Sequence, residues 1–167
     1  MIAIRSLRKD DDFSDLISLS RQFFGEYETH HRDFFKIDHL EDEQIIAYFA
    51  SFCNRDTRQA LVALDGERIV AYITVYVHEQ VSYWQVKRLG EISGLMVQPE
   101  YRKQGIAGRL LAAAKSFFAA QGVRYFAVYT AVANRAALEF YAQHGLVPLY
   151  TTMLGEIDAP PGPARDG

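Results

Sequence analysis

At Pro99 the period of the apolar residues switches from that of a run of strands to that of a helix. Upstream, residues 60–64 and 68–78 are rich in Val, Ile and Tyr and meet at Asp65-Gly66, which predicts a tight antiparallel hairpin. A third strand from about residue 85 to Val97 extends the meander, with 81–84 as its loop, and Pro99 ends it because proline cannot donate to a ladder. Downstream, Ile106, Ala107, Leu110, Leu111, Ala114, Phe117 and Phe118 recur at helical spacing, and Gly122 closes that helix. Residues 124–131 read as a buried strand, so the segment forms a strand–helix–strand crossover.

The flanks add helices and two more strands. Ile2 and Ile4 alternate with polar residues as a first strand, and residues 9–12 offer caps for a helix carrying Leu16, Leu19, Phe23, Phe24 and Tyr27. Ile45, Ile46, Phe49 and Phe52 share one face of a second helix from about Glu41 to Cys53, behind an acidic first turn. Residues 134–144 read as a short helix capped by Asn134 and stopped by Gly145, and 146–154 as a last strand. The order is therefore β, α, α, β, β, β, α, β, α, β, a mixed α/β (α+β) arrangement.

At 167 residues the chain fits one domain that buries roughly two thirds of its unfolded surface. Residues 159–167, with three prolines, read as a disordered tail. The single cysteine, Cys53, excludes an internal disulfide and a multi-cysteine zinc site. The His30-His31 pair with His39 lacks metal-ligand spacing, so no metal is expected. A net charge of −3 argues against nucleic acid, and the lack of a long apolar run against a membrane span, so a cytoplasmic protein is expected. Charge is nonetheless polarised. Residues 10–43 hold eleven acids against Arg21, Arg32 and Lys36, a net −8, whereas 98–135 reach +5.

The informative stretch is 91–111, EISGLMVQPEYRKQGIAGRLL. Glycines at 105 and 108, the positive end of a helix, and Arg102, Lys103 and Arg109 suit a phosphate group. It is not a Walker A loop, since no Gly-Lys-Ser/Thr follows, and it lacks the three-glycine dinucleotide pattern. Arg102-Lys-Gln-Gly-Ile-Ala107, after Val97-x-Pro-x-Tyr101, resembles the acetyl-CoA signature Arg/Gln-x-x-Gly-x-Gly/Ala of the GNAT N-acetyltransferase superfamily. Residues 134–146, NRAALEFYAQHGL, resemble its Asn-x-x-Ala-x-x-x-Tyr-x-x-x-Gly-Phe helix, with Leu146 where Phe is usual.

The resemblance implies one GNAT domain over 1–158: a mostly antiparallel sheet of six to seven strands flanked by about four helices. It implies transfer of an acetyl group from acetyl-CoA to an amine of a small molecule or peptide, by direct attack in a ternary complex. The pyrophosphate would lie on main-chain N–H groups of Gln104, Gly105, Ile106, Ala107 and Gly108, with Arg102, Lys103 and Arg109 around it. Pantetheine would run along Leu95, Met96 and Val97, with a main-chain N–H near Leu95 polarising the thioester carbonyl. Asn134 and Tyr141 stand about 10 Å apart on one helix face. On the family pattern Asn134 would bond the cofactor and Tyr141 would sit by its sulfur and protonate the leaving thiolate.

Glu91 is the candidate general base, placed by strand alternation with Ser93, Leu95 and Val97 unless a bulge intervenes; other family members use water alone. Acceptor candidates are Tyr27, His30, His31, Glu79, Tyr83 and Trp84, while Phe23, Phe24, Tyr27 itself, Phe34 and Phe35 belong to residue types more often found in cores than in pockets. The acidic balance of 10–43 favours a cationic amine. Alternative readings are a non-catalytic acyl-CoA sensor and a protein N-terminal or lysine acetyltransferase. The last strand suits edge pairing in a homodimer.

Overall fold

The computed structural model describes residues 1–31 and 33–157, so the tail expected at 159–167 lies outside the described residues. Two compact units divide the chain, Met1–Asn134 and Arg135–Gly167. The first holds a five-stranded sheet in the order β1-β2-β3-β4-β5: β1 Ile2–Ser6, β2 Arg58–Asp65, β3 Arg68–Glu79, β4 Arg88–Val97 and β5 Phe126–Val128. β1 to β4 pair antiparallel, and β5 joins β4 in parallel across the crossover helix.

The β2–β3 turn falls where Asp65-Gly66 places it. Asp65 pairs with Arg68 and Gly66 takes φ +63°, the positive φ that a two-residue loop demands. Helix α1 spans Ser14–Glu28, and Asp12 accepts the Ser14 N–H at 2.8 Å. Helix α2, Asp42–Ala50, starts with a capping box in which the Glu41 and Gln44 side chains each accept the other's main-chain N–H. Ile45 and Phe49 are buried, but Ile46 is exposed, because one residue turns it about 100° off the buried stripe.

These helices cover one face of the sheet. Leu16, Leu19, Ile45, Phe49 and Phe52 pack there with Val62, Leu64, Tyr72 and Met96. Helix α3, Ile106–Ala120, covers the other face through Ile106, Leu110, Leu111, Ala114 and Phe118, and Gly122 at φ +67° follows its end. Gly90 marks how closely α3 approaches: a Cβ there would sit 2.6 Å from the Phe118 ring. No helix among the described residues is long and apolar enough to cross a membrane.

The second unit contains α4, Arg135–Gln143, which ends in a left-handed turn at Gly145 (φ +85°) with the Leu146 N–H donating to the Tyr141 carbonyl at 3.0 Å. The expected strand over 146–154 does not form. Those residues carry no strand pairing, and Val147, Leu149, Tyr150, Met153 and Leu154 are exposed. A strand needs a neighbour to accept its hydrogen bonds, and apolar content alone does not supply one. The described sheet thus has five strands, not six or seven.

Candidate active site

β4 changes character halfway along. From Gly90 to Ile92 it pairs on both sides, with β3 and with β5, and the Gly90 N–H donates to the Tyr125 carbonyl at 3.0 Å. At Ser93 an extra residue enters: Val75 faces Ile92, but Thr74 faces Gly94. This bulge inverts the alternation. The Gln98 N–H donates to the Val70 carbonyl, so the main-chain groups of Gly94 and Met96 also turn to β3, and those of Leu95 and Val97 turn to the opposite edge. β5 has ended by then. The strand therefore offers an open edge at Leu95 and Val97, and Arg102 Nε donates to the Val97 carbonyl at 2.9 Å.

The bulge also corrects the expected grouping of side chains. Glu91 shares a face with Ser93 and Met96, while Leu95 and Val97 move to the other face. Met96 is buried in the core under α1 and α2, so neither its side chain nor its main chain is directed to the open edge.

Glu91 sits opposite Tyr76; burial first and the neighbouring Glu91 carboxylate second raise the Tyr76 phenol above the usual tyrosine range. His78 Nε2 lies 3.3 Å from Glu91 Oε2 but is not aligned for a hydrogen bond, so this contact acts through charge proximity when the imidazole is protonated. One step along, Tyr48, Thr74 and Ser93 close a triangle of hydroxyls at 3.0, 2.9 and 3.0 Å.

Past Val97 the chain turns through Pro99–Tyr101 into the α3 start. Lys103 takes φ +59° and Gly105 φ +77°, and no side chain caps the first turn, which contains no acid. The N–H groups of Ile106, Ala107 and Gly108 head the helix, and a Cβ on Gly105 would meet no atom within 4 Å. An anionic group fits this cradle. Of the basic residues expected there, Lys103 is exposed. Arg102 also contacts Glu26 at 2.5 Å, and Arg109 donates to the Ile2 carbonyl at 3.0 Å, so both guanidiniums brace neighbouring elements. Gln104 bonds the Glu100 carbonyl.

On the α1 side a cleft of about 360 Å³ opens, lined by Phe23, Phe24 and Tyr27 of α1, Phe34–Ile37, Ser93 and Tyr129. Tyr27 is the one expected acceptor residue found in its wall. His30 packs edge-on against Tyr27, and His31 Nδ1 accepts the N–H groups of Asp33 and Phe34, stapling the loop. Glu79 pairs with Arg88 at 3.4 Å, and Tyr83 and Trp84 are exposed on the β3–β4 loop and are not among the described lining residues. The five aromatics weighed as core residues, Phe23, Phe24, Tyr27, Phe34 and Phe35, form the wall instead. Their adjacent pairs, 23–24 and 34–35, give no helical stripe that would separate wall from core.

In the second unit, Tyr141 is the buried residue of α4 and its ring lies 5.1 Å from Phe140. Asn134 closes the first unit, its N–H donating to the Ala131 carbonyl at 2.9 Å. Among the described residues no group of three or more His, Cys, Asp or Glu could hold a metal ion.

The described sheet is mixed, with the edge of β4 open past Ile92 and an uncapped, glycine-led helix after it. The chain belongs to the acetyltransferase (GNAT) family, whose model matches residues 17–146. It is 31% identical over 85 residues to the uncharacterized N-acetyltransferase YhfO of Bacillus subtilis (strain 168), the match covering 51% of this chain and 56% of YhfO; the chain spans about half the length of that relative. Its fold is that of a tetramutant of the BH1408 protein from Bacillus halodurans, with TM-score 0.81 and 22% identity over 93% of this chain and 99% of that one. It also resembles AAC(6')-Iy in complex with the bisubstrate analog CoA-S-monomethyl-acetylneamine, with TM-score 0.67 and 16% identity over 95% and 99%.

Proposed function

We propose that this protein is an acetyl-CoA-dependent N-acetyltransferase acting on a primary amine of a small molecule. The observation that carries the reading is the fork at Ser93, where the open edge of β4 runs between the aromatic cleft and the uncapped start of α3. Acetyl-CoA supplies an acetyl thioester on a long arm ending in phosphates. The N–H groups of Ile106, Ala107 and Gly108, with the turn at Gln104 and Gly105 and the charge of Lys103, hold the phosphates. The main chain of Leu95 and Val97 bonds the arm as an added strand would. The Leu95 N–H, aimed outward, is the donor for the oxygen on which charge develops.

Glu91 takes the proton that an ammonium must lose before its nitrogen attacks the acetyl carbon, with Tyr76 opposite it on β3. Tyr141 returns a proton to the sulfur as the carbon–sulfur bond breaks. That role rests on the fit of residues 134–146 to the family helix, as does the cofactor contact of Asn134.

The test is thiol release from acetyl-CoA against amino acids, polyamines, aminoglycosides and short peptides. Wild type should need one amine class. Tyr141→Phe should lose about 10²-fold in kcat with unfolding unchanged. Gly105→Glu should abolish cofactor binding, since its side chain would occupy the open cradle. Tight acetyl-CoA binding without turnover on any amine would replace this reading with that of a sensor. Absence of binding would refute both.

A further inference from the structure

The wall of the cleft says more than that an amine enters it. Phe23, Phe24, Tyr27, Phe34 and Phe35 form a run of rings, with Tyr27 edge-on to Phe35 at 4.9 Å and Phe23 stacked on Tyr27 at 5.4 Å. Among the described residues lining it, the single charged side chain is Lys36. No described carboxylate lines it, although the surrounding segment is strongly acidic.

Four of the acids in that segment have partners of their own, and Glu28 finds its partner in the main chain of the lining residue Ile37. Glu28 accepts the Ile37 N–H at 2.6 Å, Glu26 pairs with Arg102, Asp42 with Arg21 at 2.5 Å, and Asp15 accepts the Ile69 N–H at 2.8 Å. The Glu28 bond and the His31 staple also fix the loop that carries Lys36, whose own N–H donates to the Asp33 carbonyl at 3.2 Å. The lysine is therefore presented from a pre-formed turn.

We propose that the acceptor is an amine with an apolar, ring-bearing body and an anionic group, and that Lys36 is the residue that selects it. The inference rests on the transferase reading of this same cleft. Aromatic walls take the body of such a molecule through burial. An ammonium at Lys36 attracts a carboxylate and repels the second and third charges of a polyamine or aminoglycoside. The sign of the whole acidic segment thus misleads, because the charge that matters is the one facing the ligand.

The experiment compares phenylalanine with phenethylamine, which differ by the carboxylate alone, and adds spermidine as a polycation. Expected is a kcat/KM for phenylalanine at least about tenfold above that for phenethylamine, the scale of one hydrogen bond to a charged group, with spermidine lowest. Lys36→Met should lower the ratio of the first two at least about tenfold, and Lys36→Glu should lower it further. The different basicities of the two amines are the same for every variant, so they cancel when the ratio is compared between variants. A wild-type preference for phenethylamine or spermidine, or a ratio unmoved by Lys36→Met, would overturn the inference and leave the transferase reading standing.

Calorimetric titration of phenylalanine separates the other case. Selective binding that Lys36→Met abolishes, with no acetyl transfer to any amine, would sink the transferase reading and uphold the cleft's selectivity. Neither binding nor transfer of phenylalanine would overturn the inference.

Discussion

The two halves of β4 have one neighbour in common and different work on the other side. From Gly90 to Ile92 the strand is stitched to β3 and β5 and faces Phe118 so closely that glycine is required at position 90. Beyond Ser93 it keeps β3 alone and turns the main chain of Leu95 and Val97 outward. One inserted residue makes the change. A strand can thus be core along half its length and a binding edge along the other, with rigidity of the first half holding the second in position.

Proline substitution tests that contrast most strongly. Ile92→Pro removes an N–H from the doubly paired half and should cost about 3 kcal/mol or more, read by denaturant unfolding. Leu95→Pro removes an outward N–H and should leave a folded protein whose kcat falls about 10²-fold or more through loss of the carbonyl-polarising donor. Equal unfolding losses from both would erase the distinction between the halves.

Added methyl groups give a smaller version of the same comparison. Gly90→Ala places a Cβ against the buried Phe118 ring and should destabilise by about 2–3 kcal/mol. Gly94→Ala meets Thr74 Oγ1 at 3.1 Å and Tyr72 at 3.3 Å, contacts that need only a small adjustment, and should stay within about 1 kcal/mol of wild type. Thermal melts of the two variants rank them directly.

The smallest effect should not separate the halves at all. Tyr76, beside the first half, and Tyr72, beside the second, both hold their phenol protons above the usual range, chiefly through burial. A folded-state pKa raised in this way contributes stability below the unfolded value of about 10 and loses it as pH rises beyond. Tyr76→Phe should therefore flatten the fall in stability above about pH 10. Unfolding midpoints between pH 9 and 11 would show it, and a steeper fall in the variant would contradict the sign.

Much of the scaffold could be read from residue order, and the reason is local. Asp65-Gly66 dictates its turn, Pro99 ends its strand, and the stripe from Ile106 to Phe118 buries what its period says it must. The bulge could not be read, since a single added residue leaves no periodic trace and its position is fixed by Thr74 and Tyr48, 19 and 45 residues away from Ser93 in the chain. The cleft was half visible. Tyr27 was legible as a wall residue, but the selective charge at Lys36 was hidden inside a segment whose summed charge has the opposite sign.

The triangle of Tyr48, Thr74 and Ser93 has a consequence in proton counting. Each hydroxyl owns one hydrogen, and a closed ring of three bonds consumes all three. Ser93, the member that lines the cleft, then has no hydrogen left for a guest and presents a lone pair instead. A molecule entering beside it must bring its own N–H, so the floor of the cleft discriminates against a bare acceptor atom before any chemistry begins.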